Sequence, residues 1–96
     1  MIEVRQTTEF TRWFSRLKDS AAKARIDVRI ERLSLGNPGD VRPVGEGVAE
    51  MRINLGPGYR VYYKQSGQTV VVLLAGGDKD SQERDIRLAL ELARGL

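Results

Sequence analysis

A chain of 96 residues with 41% apolar and 30% charged side chains reads as one soluble domain, long enough for a single hydrophobic core and too short for two. It has neither Cys nor His, which excludes disulfides, thiolate or His-ligated metal centres, and Ser–His or Cys–His catalysis. The net charge is a modest +3, but twelve of the cations are Arg and four are Lys. A guanidinium fork grips phosphate in two places, so where the arginines fall carries the information.

Ile2 and Val4 alternate with Glu3 and Arg5, which predicts a short first strand over Ile2–Thr7. Thr7 or Thr8 supplies an N-cap. Phe10, Trp13, Phe14 and Leu17 follow at i, i+3, i+4 and i+7, one apolar stripe on a helix that belongs in the core. Asp19-Ser20 caps a second helix, with Ala22, Ile26, Ile30 and Leu33 on its buried face and Lys23, Arg25, Asp27, Arg29, Glu31 and Arg32 mostly in solvent. Gly36-Asn37-Pro38-Gly39 stops it.

Asp40–Val48, with Pro43, Gly45 and Gly47, predicts a surface loop. The period then becomes two. Ala49, Met51, Ile53 and Leu55 alternate with Glu50, Arg52 and Asn54. Gly56-Pro57-Gly58 is a turn, Tyr59–Lys64 a strand, Ser66-Gly67 a tight hairpin turn, and Thr69–Ala75 a strand apolar on both faces and so central. After Gly76-Gly77-Asp78, Lys79 or Asp80 opens a last helix with Ile86, Ala89, Leu90 and Ala93 as its stripe. The expected fold is α+β, in the order β-α-α-β-β-β-α. It is a single domain over 1–96 with an antiparallel sheet, an N-terminal helical hairpin and a C-terminal helix.

Strand parity then locates the polar groups. Arg52 points away from the apolar set of its strand, and Arg60, Tyr62 and Lys64 share one face of the next. An antiparallel sheet commonly leaves one face wet. Lys79, Gln82 and Ile86, at i, i+3 and i+7, lie near one helical face, so Lys79 and Gln82 overhang the sheet. The expectation is a shallow cleft of Arg52, Arg60, Tyr62, Lys79 and Gln82 that suits a phosphodiester better than a neutral ligand. The same alternation occurs on any exposed strand, and spacing alone does not separate RNA, DNA and an acidic protein as partners. RNA fits a site without His or metal ligands best, because its 2′-hydroxyl is an internal nucleophile. Arg or Lys then stabilises charge on the phosphorane, and a Tyr or a Lys of lowered pKa moves protons. Asp78, Asp80, Glu83 and Asp85 are read as charges complementing the dipole at a helix start, not as metal ligands.

Gly56-Pro57-Gly58-Tyr59-Arg60-Val61-Tyr62-Tyr63 resembles the strand motif of the RelE/ParE toxin superfamily. Leu73–Ile86 with Ala89 is similar to the signature of its addiction module killer protein branch, also called HigB-like or RelE-like. Thr8-Glu9-Phe10, Trp13-Phe14, Leu17-Lys18-Asp19 and Gly47–Arg52 fit that branch as well. The resemblance spans essentially the whole chain. It implies the toxin of a type II toxin–antitoxin module that cleaves mRNA in the ribosome without metal or other cofactor, inhibits translation, and is neutralised by a cognate antitoxin. That antitoxin is often a helix-turn-helix protein, through which the pair reaches operator DNA.

By the same resemblance, Arg60 contacts the scissile phosphate, Arg52 serves similarly from the preceding strand, and Lys79 and Arg84 contribute at the last strand–helix junction. Tyr62, the candidate base, completes the catalytic candidates. Lys64, Gln82 and Arg84 are candidate RNA-binding residues. The final segment, Asp78–Ile86, holds four acids and neither Tyr nor His, unlike better-known members. The superfamily also holds ParE-like toxins that poison DNA gyrase without cleaving RNA. An inactive relative that only binds antitoxin is a third reading. The resemblance, with the lack of an export-signal pattern at the start of the chain, implies the bacterial cytoplasm as the compartment, and no membrane partner is expected because no apolar run approaches 18 residues.

Overall fold

The computed structural model describes residues 2–96; Met1, the first residue of the expected domain, lies outside them. The elements are β1 (Glu3–Gln6), α1 (Thr8–Arg16), α2 (Ser20–Ser34), β2 (Val41–Gly45), β3 (Val48–Ile53), β4 (Tyr59–Ser66), β5 (Val70–Gly77) and α3 (Gln82–Arg94). The helix starts follow local chemistry. The Thr7 hydroxyl accepts from the Phe10 N–H at 3.0 Å and itself donates to the Leu74 carbonyl at 2.6 Å, so one residue caps α1 and ties it to β5. The Asp19 carboxylate accepts from the Ala22 N–H at 3.1 Å and starts α2.

The sheet departs from the expected one in two ways. It has five strands in the order β1-β5-β4-β3-β2, and it is mixed, because β1 runs parallel to β5 with Glu3 opposite Val70 and Gln6 opposite Leu73. The element order is therefore β-α-α-β-β-β-β-α. The added strand, β2, lies inside the segment expected to be a loop. Pro43, Gly45 and Gly47 disguise it, yet β2 is an edge strand, where proline is tolerated. It pairs antiparallel with β3, with a register shift between Pro43 and Gly45. In the hairpin that follows, Glu46 adopts φ 54°, uncommon for a side-chain-bearing residue, and Arg94 grips its carboxylate with two hydrogen bonds of 2.9 and 2.6 Å.

Helices cover both faces of the sheet. On one, Phe10, Ile26 and Leu33 pack against Met51, Ile53, Val61, Tyr63, Val71 and Leu73, with Trp13, Phe14 and Leu17 at the margin. On the other, Ala89 and Ala93 of α3 pack against Val48, Tyr62, Leu74 and Ala75. The second face, expected to be wet, is thus largely under α3. Among the described residues no helix is long and apolar enough to cross a membrane.

Candidate functional site: an arginine cluster around Glu50

The polar side chains under and beside α3 form two rows across the strands. Arg42, Glu50 and Tyr62 are register partners on β2, β3 and β4; Arg52 and Arg60 are partners one step along. On β5 the first row meets Ala75 and the second meets Gly77. These small residues make room for the start of α3: a Cβ on Gly77 would stand 1.7 Å from an Asp85 carboxylate oxygen and 2.8 Å from the Ser81 hydroxyl.

Glu50 is the hub. It is fully buried, and donors reach it from three strands and a helix. Arg42 Nε stands at 2.9 Å and Arg52 Nε at 3.4 Å from Oε1; the Tyr62 hydroxyl donates to Oε2 at 3.0 Å and Gln82 Nε2 at 2.8 Å. Arg60 Nε lies 4.0 Å from Oε1, an ion pair beyond hydrogen-bond reach. Burial pushes the Glu50 carboxyl up, but the hydrogen bonds from Gln82, Arg42 and Tyr62 and the Arg42 charge outweigh it and hold it below the usual carboxylate range. Glu50 is therefore an ionised anchor. With three guanidiniums around one carboxylate, the cluster stays cationic. Among the described residues neither Arg42 nor Arg52 donates an Nη hydrogen bond to protein, and their side chains are 48% and 35% exposed. Glu50 thus holds two forks by the Nε end and leaves their tips toward solvent.

The residues expected in the cleft divide. Arg52 and Gln82 belong to the cluster. Lys79 is exposed and stands at its rim. It lies in the turn before α3 rather than on the helix, and its N–H donates to the Pro57 carbonyl at 3.4 Å. Lys79 Cβ and Arg60 Nη1 lie 3.5 and 3.7 Å from the point where a Cβ on Gly58 would sit.

Arg60 is in the cluster but only 7% exposed. Its Nη1 donates to the carbonyls of Gly58 and Tyr59 at 3.3 and 3.4 Å, and its Nε has no hydrogen-bond acceptor among the described residues. It supplies charge from beneath and presents no open fork. Tyr62 is fully buried. Burial, with the Glu50 charge and the hydrogen bond to it, pushes its phenol far up, so Tyr62 is a neutral donor and is unfit as the base expected of it. Lys64 falls outside the group: four residues along β4 from Arg60 is about 13 Å, and its Cε stands near Gly47 in the β2–β3 hairpin. Arg84 is exposed, 3.5 Å from an Asp85 oxygen, and lines an open groove with Trp13, Gly76, Lys79 and Arg87.

Two members of the cluster, Glu50 and Arg42, lie outside the residues expected from the sequence. Glu50 carries a signal, a lone acid in an otherwise apolar stretch beside Arg52. Arg42 carries none, since its segment has the composition of a loop. The acids before and within the first turn of α3 also do more than complement a dipole. The Asp78 carboxylate accepts from the N–H groups of Asp80 and Ser81 at 2.9 and 3.2 Å, and Asp85, 4% exposed, accepts from the Ser81 hydroxyl.

No protein-family model matches the chain. It is 47% identical over 95 residues to an uncharacterized protein of Haemophilus influenzae, a match that covers 99% of this chain and 96% of the other.

Proposed function

We propose that this chain, which belongs to the same protein family as the Haemophilus influenzae relative, is the toxin of a type II toxin–antitoxin module of the RelE/ParE superfamily. In this reading it acts on mRNA at the ribosome in the bacterial cytoplasm and is held in check by a cognate antitoxin. One observation carries the RNA reading: Glu50 anchors Arg42 and Arg52 by Nε while their Nη ends remain free, with Arg60 behind and Lys79 at the rim. Preset guanidinium forks suit a phosphodiester. They favour the step in which charge grows on the phosphorus oxygens, because no reorganisation is needed as the charge appears. The 2′-hydroxyl of the substrate attacks the adjacent phosphorus and the P–O5′ bond breaks, leaving a 2′,3′-cyclic phosphate and a 5′-hydroxyl; water takes the proton of the nucleophile and returns one to the leaving oxygen, and proximity is built into RNA. Glu50 and Tyr62 do not move the proton, the one being a buried anchored carboxylate and the other a buried neutral phenol. The work of this cluster is electrostatic.

The burial of Arg60 and Tyr62 favours a second reading, a toxin-fold protein that binds partners without cutting RNA. Primer extension on a defined mRNA after brief induction separates the two. Discrete new 5′ ends that need ongoing translation, reduced on the order of 10²-fold by Arg52→Ala, support cleavage. Growth arrest with intact transcripts turns the assignment to gyrase poisoning, and intact transcripts without arrest to a binding-only protein.

A further inference from the structure

The outward face of α2 carries a second cationic surface. Arg25, Val28 and Arg32 fall at i, i+3 and i+7 of α2, one line along the helix, and Leu35, which caps its C-terminus, follows at i+10. All four are exposed, and Val28 (41%) and Leu35 (64%) are two of the three large apolar side chains left exposed among the described residues. The stripe alternates cation and aliphatic group over three turns.

Arg29 lies beside it, fixed in place. Its Nη1 donates to the Arg52 carbonyl at 2.6 Å and its Nη2 to the carbonyls of Pro38 and Asp40 at 3.2 Å. Carbonyls orient a guanidinium without neutralising it. Burial pushes the Arg29 pKa down; Asp40 opposes this, and the like charges of Arg32 and Arg25 add to it. Among the described residues no ion pair involves Arg25, Arg29 or Arg32. The groove flanking this face, closed by Gly39, Asp40, Ile53 and Asn54, holds no aromatic side chain.

We propose that this face of α2 docks an acidic amphipathic segment of a partner protein, whose apolar side chains cover Val28 and Leu35 and whose carboxylates pair with Arg25 and Arg32. Charge complementarity sets the sign of the partner. Aliphatic groups at helical spacing set its form, as in other groove-bound amphipathic segments. Single-stranded nucleic acid fits less well, since its bases need aromatic platforms that this face lacks. A second copy of this chain also fits less well. Another α2 brings the same positive charge, and the apolar faces of α1 and α3 are already committed to the core. The proposal does not depend on RNA cleavage, because none of the stripe's residues belongs to the Glu50 cluster.

The test is an NMR titration of the isotope-labelled full chain with a synthetic acidic amphipathic helix of about 18 residues, long enough to lie alongside α2. A scrambled peptide of the same composition and a uridine oligonucleotide serve as competitors. The expected result is shifts confined to the outward face of α2 and affinity that falls with added salt. The double variant Arg25→Glu/Arg32→Glu and, separately, Val28→Asp should each weaken binding by about tenfold or more. All three positions are exposed, so an unchanged spectrum elsewhere verifies that the variants fold. The proposal is overturned by any of four outcomes: no shifts on α2, equal binding of the scrambled peptide, preference of this face for the oligonucleotide, or self-association abolished by the same substitutions.

Discussion

Replacing Glu50 tests whether a single buried carboxylate organises the site. Glu50→Ala leaves the Tyr62 hydroxyl, sealed from solvent, without its acceptor, at about 1–3 kcal/mol for an orphaned buried donor. It also removes the carboxylate closest to the buried Arg60 guanidinium. Breaking a buried pair costs about 3–5 kcal/mol, and here the low end applies, because the ions stand 4.0 Å apart. Arg42 and Arg52, 48% and 35% exposed, turn to water and add little. The expected loss is about 4 kcal/mol for Glu50→Ala, and about 3 kcal/mol for Glu50→Gln, which keeps an acceptor for Tyr62 but not the charge opposite Arg60.

With a urea slope of about 1 kcal/mol/M for a domain of this size, the two unfolding midpoints should fall by about 4 M and 3 M. The first is enough to unfold a marginal domain. A pH series adds a signature that bulk packing does not produce. The folded carboxyl is held below its unfolded value. Its contribution is therefore complete above the unfolded value of about 4.3 and is lost as pH falls through the lower folded value. The parent should lose that increment on acidification, and Glu50→Gln, which has no charge to lose there, should not. The reasoning is refuted if the Glu50→Gln midpoint stays within about 0.5 M of the parent and the acid limbs of the two proteins coincide.

Tyr62→Phe should cost about 1 kcal/mol by urea titration, the value of one hydrogen bond, and leave growth arrest intact; complete loss of arrest in a folded variant would return Tyr62 to the chemistry. Arg29→Ala removes three hydrogen bonds to carbonyls joining α2 to β3 and the Pro38–Asp40 turn. It should lower stability by about 2–3 kcal/mol, with Arg29→Lys only partly restoring it, because an ammonium lacks the fork. Gly76→Ala would place its methyl 2.1 Å from the Trp13 ring. It should cost about 1–3 kcal/mol and change the emission of the one tryptophan; parent-like fluorescence and midpoint would contradict the packing described.

Periodicity in the sequence made much of the local structure legible. The Phe10–Leu17 stripe, a cap at Thr7 or Thr8 that the fold resolves to Thr7, the cap at Asp19, and the alternation through Ala49–Leu55 all depend on residues within a few positions of one another, and local sterics set them. Strand parity also correctly placed Arg52, Arg60 and Tyr62 on one side of the sheet. What parity does not contain is what lies over that side. The covering helix is α3, which begins 16 residues after β4 ends, and its arrival turned an expected wet face into one where Tyr62 is sealed and Arg60 nearly so.

The parallel pairing of β1 with β5 joins residues 67 positions apart, Glu3 with Val70, and a local pattern announces a strand without naming its neighbour. β2 hid because an edge strand pairs on one side only and so accepts Pro43 and the glycines that read as loop. The character of Glu50 was decided by tertiary structure alone. In sequence it is one acid on an amphipathic strand. In the fold, Arg42, Tyr62 and Gln82 reach it from three other elements. A buried charge is stable only where such distant partners converge, because desolvation must be offset by several hydrogen bonds together.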